Sequence, residues 1–88
     1  MTYKIILADR FKKNYKKLSL NIQKQIKKKI EIMQDNPFHP SLRTKRIQGT
    51  KDLFEFSINM DVRVIWHYED DKLILLLDIG HHDILNKL

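Results

Sequence analysis

The chain has 88 residues, of which 42% are hydrophobic and 32% are charged, with a net charge of +6 and no cysteine. This length allows one compact domain, which we assign to residues 1–88, and the missing cysteines exclude disulfide and thiolate chemistry. Because no segment has the composition of a signal peptide or a membrane span, we expect a cytoplasmic protein with no membrane partner.

The first 36 residues predict a short strand followed by two helices. Residues 3–7 are apolar and β-prone, as in a first strand. Asp9 can cap a helix that runs to about position 17, and Ser19 or Asn21 can start a second helix. This helix must end before Pro37, because proline disfavours helical geometry in the residue before it. Its apolar stripe consists of Ile22, Ile26, Ile30 and Met33.

The remaining residues predict four more strands joined by short turns. The strand candidates are residues 42–48, 53–58, 62–68 and 72–79. In the last of these we expect alternate residues to face the core, namely Leu73, Leu75, Leu77 and Ile79. The resulting order, β-α-α-β-β-β-β, predicts an α+β domain with an N-terminal helical hairpin on one face of a small, mainly antiparallel sheet.

The turn around Met60 sets the predicted register. If it pairs residues whose numbers sum to about 120, Arg63 lies opposite Ser57. The next hairpin should then bring Asp78 beside Arg63. An arginine in a central strand can bind phosphate with its rigid fork, or it can form a structural salt bridge to Asp78 or Glu55. Both interpretations stay open.

Two adjacent histidines, His81 and His82, follow Gly80 at the end of the last predicted strand. A histidine at such a position can exchange protons near neutral pH. The spacing of the histidines and acids does not match a metal site, so we expect no metal and no other cofactor. Asp61, in the turn, can be a turn former or an acid with a chemical role.

The charge of the chain is distributed unevenly. Residues 1–51 hold 14 lysines and arginines against three acids, a net +11, while residues 52–88 hold three against eight, a net −5. This asymmetry indicates a polyanionic partner, either nucleic acid or an acidic protein, although a solvated lysine-rich helix face would have the same composition. The basic residues after the helices are candidates for RNA contacts: Arg43, Lys45, Arg46 and Lys51.

The order of motifs resembles the RelE/ParE superfamily of toxins from type II toxin–antitoxin systems. The helix pair ends in N-P-F, and K-R-I-Q-G, D-V-R-V-I-W and I-G-H-H-D follow in the family's order over nearly the whole chain. The resemblance implies a toxin that cleaves mRNA on the ribosome through attack by the ribose 2′-hydroxyl. It also implies a cognate antitoxin, with an acidic or amphipathic segment that wraps the toxin.

The resemblance also implies roles for individual residues. Arg63 matches the arginine that contacts the scissile phosphate, and His82 matches the catalytic residue after the terminal glycine. Asp61 matches an acidic position of the YafQ-like branch, and His81 and Glu55 are expected helpers.

Some positions depart from the family pattern. Two lysines of RelE align with Glu55 and Ser57, and its late tyrosine has no counterpart in these 88 residues. The alternatives are therefore a ParE-like inhibitor of DNA gyrase without enzymatic activity, and a basic binding domain with no activity.

Overall fold

The elements follow the predicted β-α-α-β-β-β-β order in the computed structural model, which describes residues 2–81. A one-turn 3₁₀ helix, Pro40–Leu42, precedes β2. The strands and helices are β1 (Lys4–Leu7), α1 (Asp9–Tyr15), α2 (Leu20–Asp35), β2 (Lys45–Arg46), β3 (Phe54–Ser57), β4 (Val62–Asp70) and β5 (Leu73–His81).

The two helices begin in different ways. Ser19 is the N-cap of α2, and its Oγ accepts a hydrogen bond from the backbone N–H of Ile22 at 3.3 Å. Of the two predicted starts, Ser19 is therefore the correct one. The predicted cap at Asp9 is wrong, because Ala8 occupies the N-cap of α1 and no side chain caps this helix. Asp9 lies instead in the first turn, where the helix dipole favours a negative charge.

The five strands form one sheet in the order β1-β5-β4-β3-β2, in which β1 is parallel to β5 and the other neighbours are antiparallel. Ser57 pairs with Arg63, so the predicted register of the β3–β4 hairpin is confirmed. The predicted strand at 42–48 is wrong in extent. Only Lys45 and Arg46 are strand residues, because Leu42 is buried in the 3₁₀ turn that begins at Pro40.

The inward face of β5 differs from the predicted alternation. Ile74, Leu76 and Ile79 are buried, while the three leucines at 73, 75 and 77 are only half-buried. A register shift explains the pattern, since Ile65 pairs with Asp78 but the next residue, Trp66, pairs with Leu76, so position 77 is an extra residue. Residues 73–77 are all apolar, so the sequence did not indicate which set faces inward.

The helices pack on one face of the sheet through a continuous apolar core. Phe11, Ile26 and Met33 of the helices contact a cluster from the strands that includes Phe56, Val64, Trp66, Ile74, Leu76 and Ile79. Removing this apolar surface from water is the main favourable term in folding. Neither described helix combines the length and the apolar character that crossing a membrane would require.

Asp78 anchors α1 to the sheet. Its carboxylate accepts a hydrogen bond from Nδ2 of Asn14 at 2.6 Å and lies 3.1 Å from Nε of Arg10. Gly80, rather than Asp78, pairs with Arg63. The prediction that Asp78 lies beside Arg63 is therefore wrong. The register of the Trp66–Leu76 pair would already place Ile79 opposite Arg63, and the extra residue in β5 moves the partner on to Gly80.

Candidate active site

The turn between β3 and β4 positions the first candidate residue, Asp61. Oδ1 of Asn59 accepts hydrogen bonds from the backbone N–H groups of Asp61 and Val62, each at 2.8 Å. An asparagine that binds the backbone two and three residues ahead stabilises a tight turn. The turn thereby fixes the Asp61 backbone at the end of the sheet where β5 also ends.

His81 and Asp61 meet at this end of the sheet. His81 pairs with Val62 in the β4–β5 ladder, and its Nδ1 lies 2.5 Å from Oδ2 of Asp61. Both side chains are well exposed, at 65% and 61% of their surface. Since a carboxylate only accepts hydrogen bonds, the proton of a neutral imidazole belongs on Nδ1, and Nε2 is left as the proton acceptor.

Arg63 is held from two sides. Its Nε lies 3.6 Å from Oε1 of Glu55, and its Nη1 donates to the carbonyl oxygens of Asn59 at 2.8 Å and Val62 at 3.3 Å. The Glu55 and Arg63 side chains are only 5% and 15% exposed. Of the two predicted salt-bridge partners, Glu55 is therefore the correct one. A permanently charged guanidinium is fixed at the start of β4 with a buried carboxylate behind it.

A cleft of about 380 Å³ opens next to Arg63, and we call it the cationic cleft. It lies between Lys29 of α2, Arg43 after the 3₁₀ turn, and the β3–β4 turn, residues 57–60. Nζ of Lys29 donates a hydrogen bond to the carbonyl oxygen of Ser41 at 2.9 Å. The cleft therefore combines positive charges from three separate parts of the chain.

Lys29 is a cleft residue that the sequence did not distinguish from the other lysines of the helices. It is half-buried, while Lys27 and Lys28 are exposed. A signal was present, since Lys29 follows the buried Ile26 by three positions and so borders the apolar stripe. A lysine there lays its stem along the protein and extends its ammonium group to the edge.

The predicted RNA-binding residues do not form one group. Arg43 lines the cationic cleft together with Arg63. Lys45 and Arg46 are exposed in β2 at the sheet edge, where they pair with Glu55 and Phe54. Lys51 is exposed in the loop that follows β2.

His82, the predicted catalytic residue, lies outside the described residues. His67 contacts Glu69 in the second half of β4, and His39 contacts Ser41, which lines the cationic cleft. Within residues 2–81, no three histidine or acidic side chains form a group that could hold a metal ion.

The comparison with protein families gives one match. The model that matches describes the ParE toxin of the type II toxin–antitoxin system, parDE, and it matches residues 5–85. Among curated protein sequences, no relative matches at a significant level.

Solved structures show the same fold. The archaeal RelE–RelB complex from Pyrococcus horikoshii contains a chain with 22% identity and a TM-score of 0.77, covering 92% of this chain and 96% of that chain. The Escherichia coli toxin RelE, solved as a mutant in the free state, has 19% identity, a TM-score of 0.76 and coverage of 99% and 93%. A YoeB/ParE toxin from Agrobacterium tumefaciens has 12% identity, a TM-score of 0.78 and coverage of 90% and 98%.

Proposed function

The chain belongs to the ParE toxin family of type II toxin–antitoxin systems, within the RelE/ParE superfamily, and we propose that it is an endoribonuclease. Its substrate is mRNA on the ribosome in the cytoplasm, and its reaction requires no metal ion. The observation that carries this proposal is the His81–Asp61 pair, at the end of the sheet where Arg63 pairs with Gly80. A histidine with an oriented ring and a fixed cation are two groups that phosphodiester cleavage uses.

The proposed reaction is attack by a ribose 2′-hydroxyl on the adjacent phosphorus. A base takes the proton of the hydroxyl, the new bond closes a 2′,3′-cyclic phosphate, and an acid protonates the departing 5′-oxygen. Nε2 of His81 is one group that can move a proton, because Asp61 holds Nδ1. His82 supplies the other acid–base group in this proposal.

Arg63 stabilises the negative charge that develops on the phosphorane oxygens. Glu55 is a positioning residue, since its buried carboxylate lies 3.6 Å from Nε of Arg63 and holds the guanidinium toward the end of the sheet. This role gives a function to a position where RelE has a lysine.

We further propose that a cognate antitoxin neutralises the protein with an acidic or amphipathic segment. The net +11 of residues 1–51 supports an acidic partner, because opposite charge accelerates and orients association. Structures of relatives in complex with RelB, from Pyrococcus horikoshii and Escherichia coli, support a partner of this class.

The test is to induce the chain in cells and map mRNA 5′ ends, with the wild type beside His82→Ala. The proposal expects new 5′ ends inside translated regions for the wild type and their loss in the variant. An unchanged pattern of mRNA ends during growth arrest by the wild type would contradict it.

A second candidate function is inhibition of DNA gyrase without enzymatic activity. The observation that favours it is that the matching family model is that of ParE. It expects growth arrest and blocked DNA supercoiling to survive the double change His82→Ala with Arg63→Ala. The nuclease proposal expects both effects of this double variant to be absent.

A further inference from the structure

The cationic cleft contains more positive charge than the cleavage reaction requires. Lys29, Arg43 and Arg63 line it, together with the polar residues Ser41 and Asn59. None of its lining residues within 2–81 is acidic. Glu55 offsets the charge of Arg63 from behind, but Lys29 and Arg43 add two further positive charges to the cleft, and these favour a bound anion.

Arg43 adopts a backbone conformation that is unfavourable for an arginine. Its φ is 52°, in the left-handed region, and among residues 2–81 it is the only non-glycine residue with positive φ. The preceding Leu42 is fully buried and anchors the segment in the core. Strain of this kind persists where the surrounding structure imposes it and is concentrated at ligand-binding sites.

Lys29 is held in place for a ligand. One of the three donors of its ammonium group binds the carbonyl oxygen of Ser41 at 2.9 Å, which fixes the stem of a half-buried side chain. The other two donors can bind further acceptors. A fixed lysine loses less side-chain entropy on binding than a free surface lysine does.

The guanidinium of Arg63 joins this cleft to the candidate active site. Nε and Nη1 contact Glu55, Asn59 and Val62, so the remaining terminal nitrogen, Nη2, is the one we assign to a ligand. Arg63 pairs with Gly80, directly before His81 in β5. The same arginine therefore lines the cationic cleft and belongs to the strand pair next to that of His81.

We propose that the cationic cleft is a phosphate subsite, in which Lys29 and Arg43 bind the RNA backbone phosphate next to the one that is cleaved. The inference rests on the proposed nuclease function. A polynucleotide carries one phosphate per nucleotide, so a strand with one phosphate at Arg63 continues into the same cleft. Its volume of about 380 Å³ is within the range of roughly 300–1,000 Å³ that ligand pockets have, so it admits more than an isolated phosphate ion.

Met60 favours a nucleotide as the occupant. It is 92% exposed on the rim of the cleft, which places a flexible apolar side chain beside three cations. A nucleotide presents the same combination, with a charged phosphate next to the apolar face of a base.

The test is the salt dependence of RNA binding. The full chain, purified free of antitoxin, is titrated with a fluorescent single-stranded RNA whose 2′-O-methyl groups prevent cleavage. Each lost phosphate contact should reduce the slope of log K against log salt by about 0.7, so Lys29→Gln and Arg43→Gln should each reduce it by about 0.7 and together by about 1.4. Lys28→Gln is the matched control, with the same charge change at an exposed position of α2, and should leave the slope unchanged.

The variant Arg43→Gly separates the loss of a ligand contact from a loss of folding stability. Glycine tolerates positive φ, so this variant should keep or raise the stability of the wild type while the slope still falls by about 0.7. Unchanged slopes in the Lys29 and Arg43 variants would overturn the subsite. The subsite would also be overturned if the Lys29 and Arg43 variants lost binding to a polyglutamate peptide but still bound RNA like the wild type. The cleft would then bind an acidic protein segment.

Failure of the subsite and failure of the nuclease give different results. If the wild type cleaves mRNA but the slopes do not change, only the subsite is wrong. If the slopes change as expected but the wild type produces no new mRNA 5′ ends, the cleft binds RNA phosphate and the nuclease function is wrong.

Discussion

Two histidine–carboxylate pairs of equal length lie on the β4–β5 hairpin, and their surroundings differ. The side chains of His81 and Asp61 lie 2.5 Å apart although the residues are 20 positions apart, and they lie at the end of the sheet where Arg63 pairs with Gly80. His67 and Glu69 are also 2.5 Å apart, but they are two positions apart on one strand. Two further acids, at positions 70 and 71, follow the second pair and repel a polyanion. A short histidine–carboxylate contact therefore does not by itself indicate an active site. A fixed cation at the same end of the sheet, as with Arg63, does.

The two halves of β4 also differ, since the first half borders the candidate site and the second half contributes a large side chain to the core. The first half presents Arg63 to the cationic cleft, while the second half contains Trp66, which is fully buried and stacks on Phe54 at a centroid distance of 4.8 Å. We expect changes in the second half to affect stability and changes near the first half to affect RNA cleavage.

The largest expected effect is on folding. Trp66→Ala should lower the free energy of unfolding by about 3–5 kcal/mol, because it removes a large buried aromatic side chain. Urea denaturation measures this loss. Trp66→Phe is the matched control and should cost much less, because the stacking surface remains and Nε1 has no hydrogen-bond partner within residues 2–81. Equal losses in both variants would show that stacking is not the main contribution.

The next effect is on cleavage. His81→Ala should reduce the rate of RNA cleavage by roughly 10²-fold or more, the usual contribution of a positioned acid–base group. His67→Ala should leave the rate nearly unchanged, because its partner lies on the same strand at the acidic end of the hairpin. Single-turnover cleavage on programmed ribosomes measures both rates. A similar loss in the two variants would contradict the difference between the pairs.

A smaller effect is expected from the carboxylate of the first pair. Asp61→Asn should slow cleavage by about fivefold, because an exposed contact between a histidine and a carboxylate is worth at most about 1 kcal/mol. Glu69→Gln is the control in the second pair and should not change the rate. The melting temperature should stay the same in both variants. A loss for Asp61→Asn as large as that for His81→Ala would mean that Asp61 contacts the reacting groups.

The smallest effect is a pH-dependent change in stability, and it involves Tyr68 at the acidic end of the β4–β5 hairpin. Partial burial raises the pKa of Tyr68 above its ordinary value of about 10, and the charge of Tyr3 and a hydrogen bond with it raise the pKa further. The folded state therefore favours the protonated phenol. This contribution is complete below pH about 10 and is lost as the pH rises through the folded-state pKa.

Tyr68→Phe should accordingly lose less stability than the wild type between neutral pH and pH about 11. Urea unfolding at both pH values measures the difference. Lysines titrate in the same range, so the comparison of the two proteins, and not either curve alone, tests the prediction. Identical pH dependence would show that Tyr68 does not titrate differently in the folded state.

The order and type of the elements were predictable because they depend on local patterns. The apolar stripe of α2, the stop before Pro37 and the alternation of residues 62–66 follow from helix and strand periodicity. The turn at Asn59 also fixed the Ser57–Arg63 pair from the sequence alone. Arg63 and Asp61 could thus be placed at one end of the sheet without tertiary information.

Only the tertiary structure decided the register of β5 and the presence of an α2 residue in the cationic cleft. The extra residue at position 77 makes Gly80 the partner of Arg63, and Asp78 binds α1 instead; five consecutive apolar residues gave no sign of this register. Lys29 and Arg43 reach the cleft because packing of the helix and the 3₁₀ turn brings distant segments together. Local sequence sets the periodicity of each element, but the contacts between elements depend on how the whole core packs.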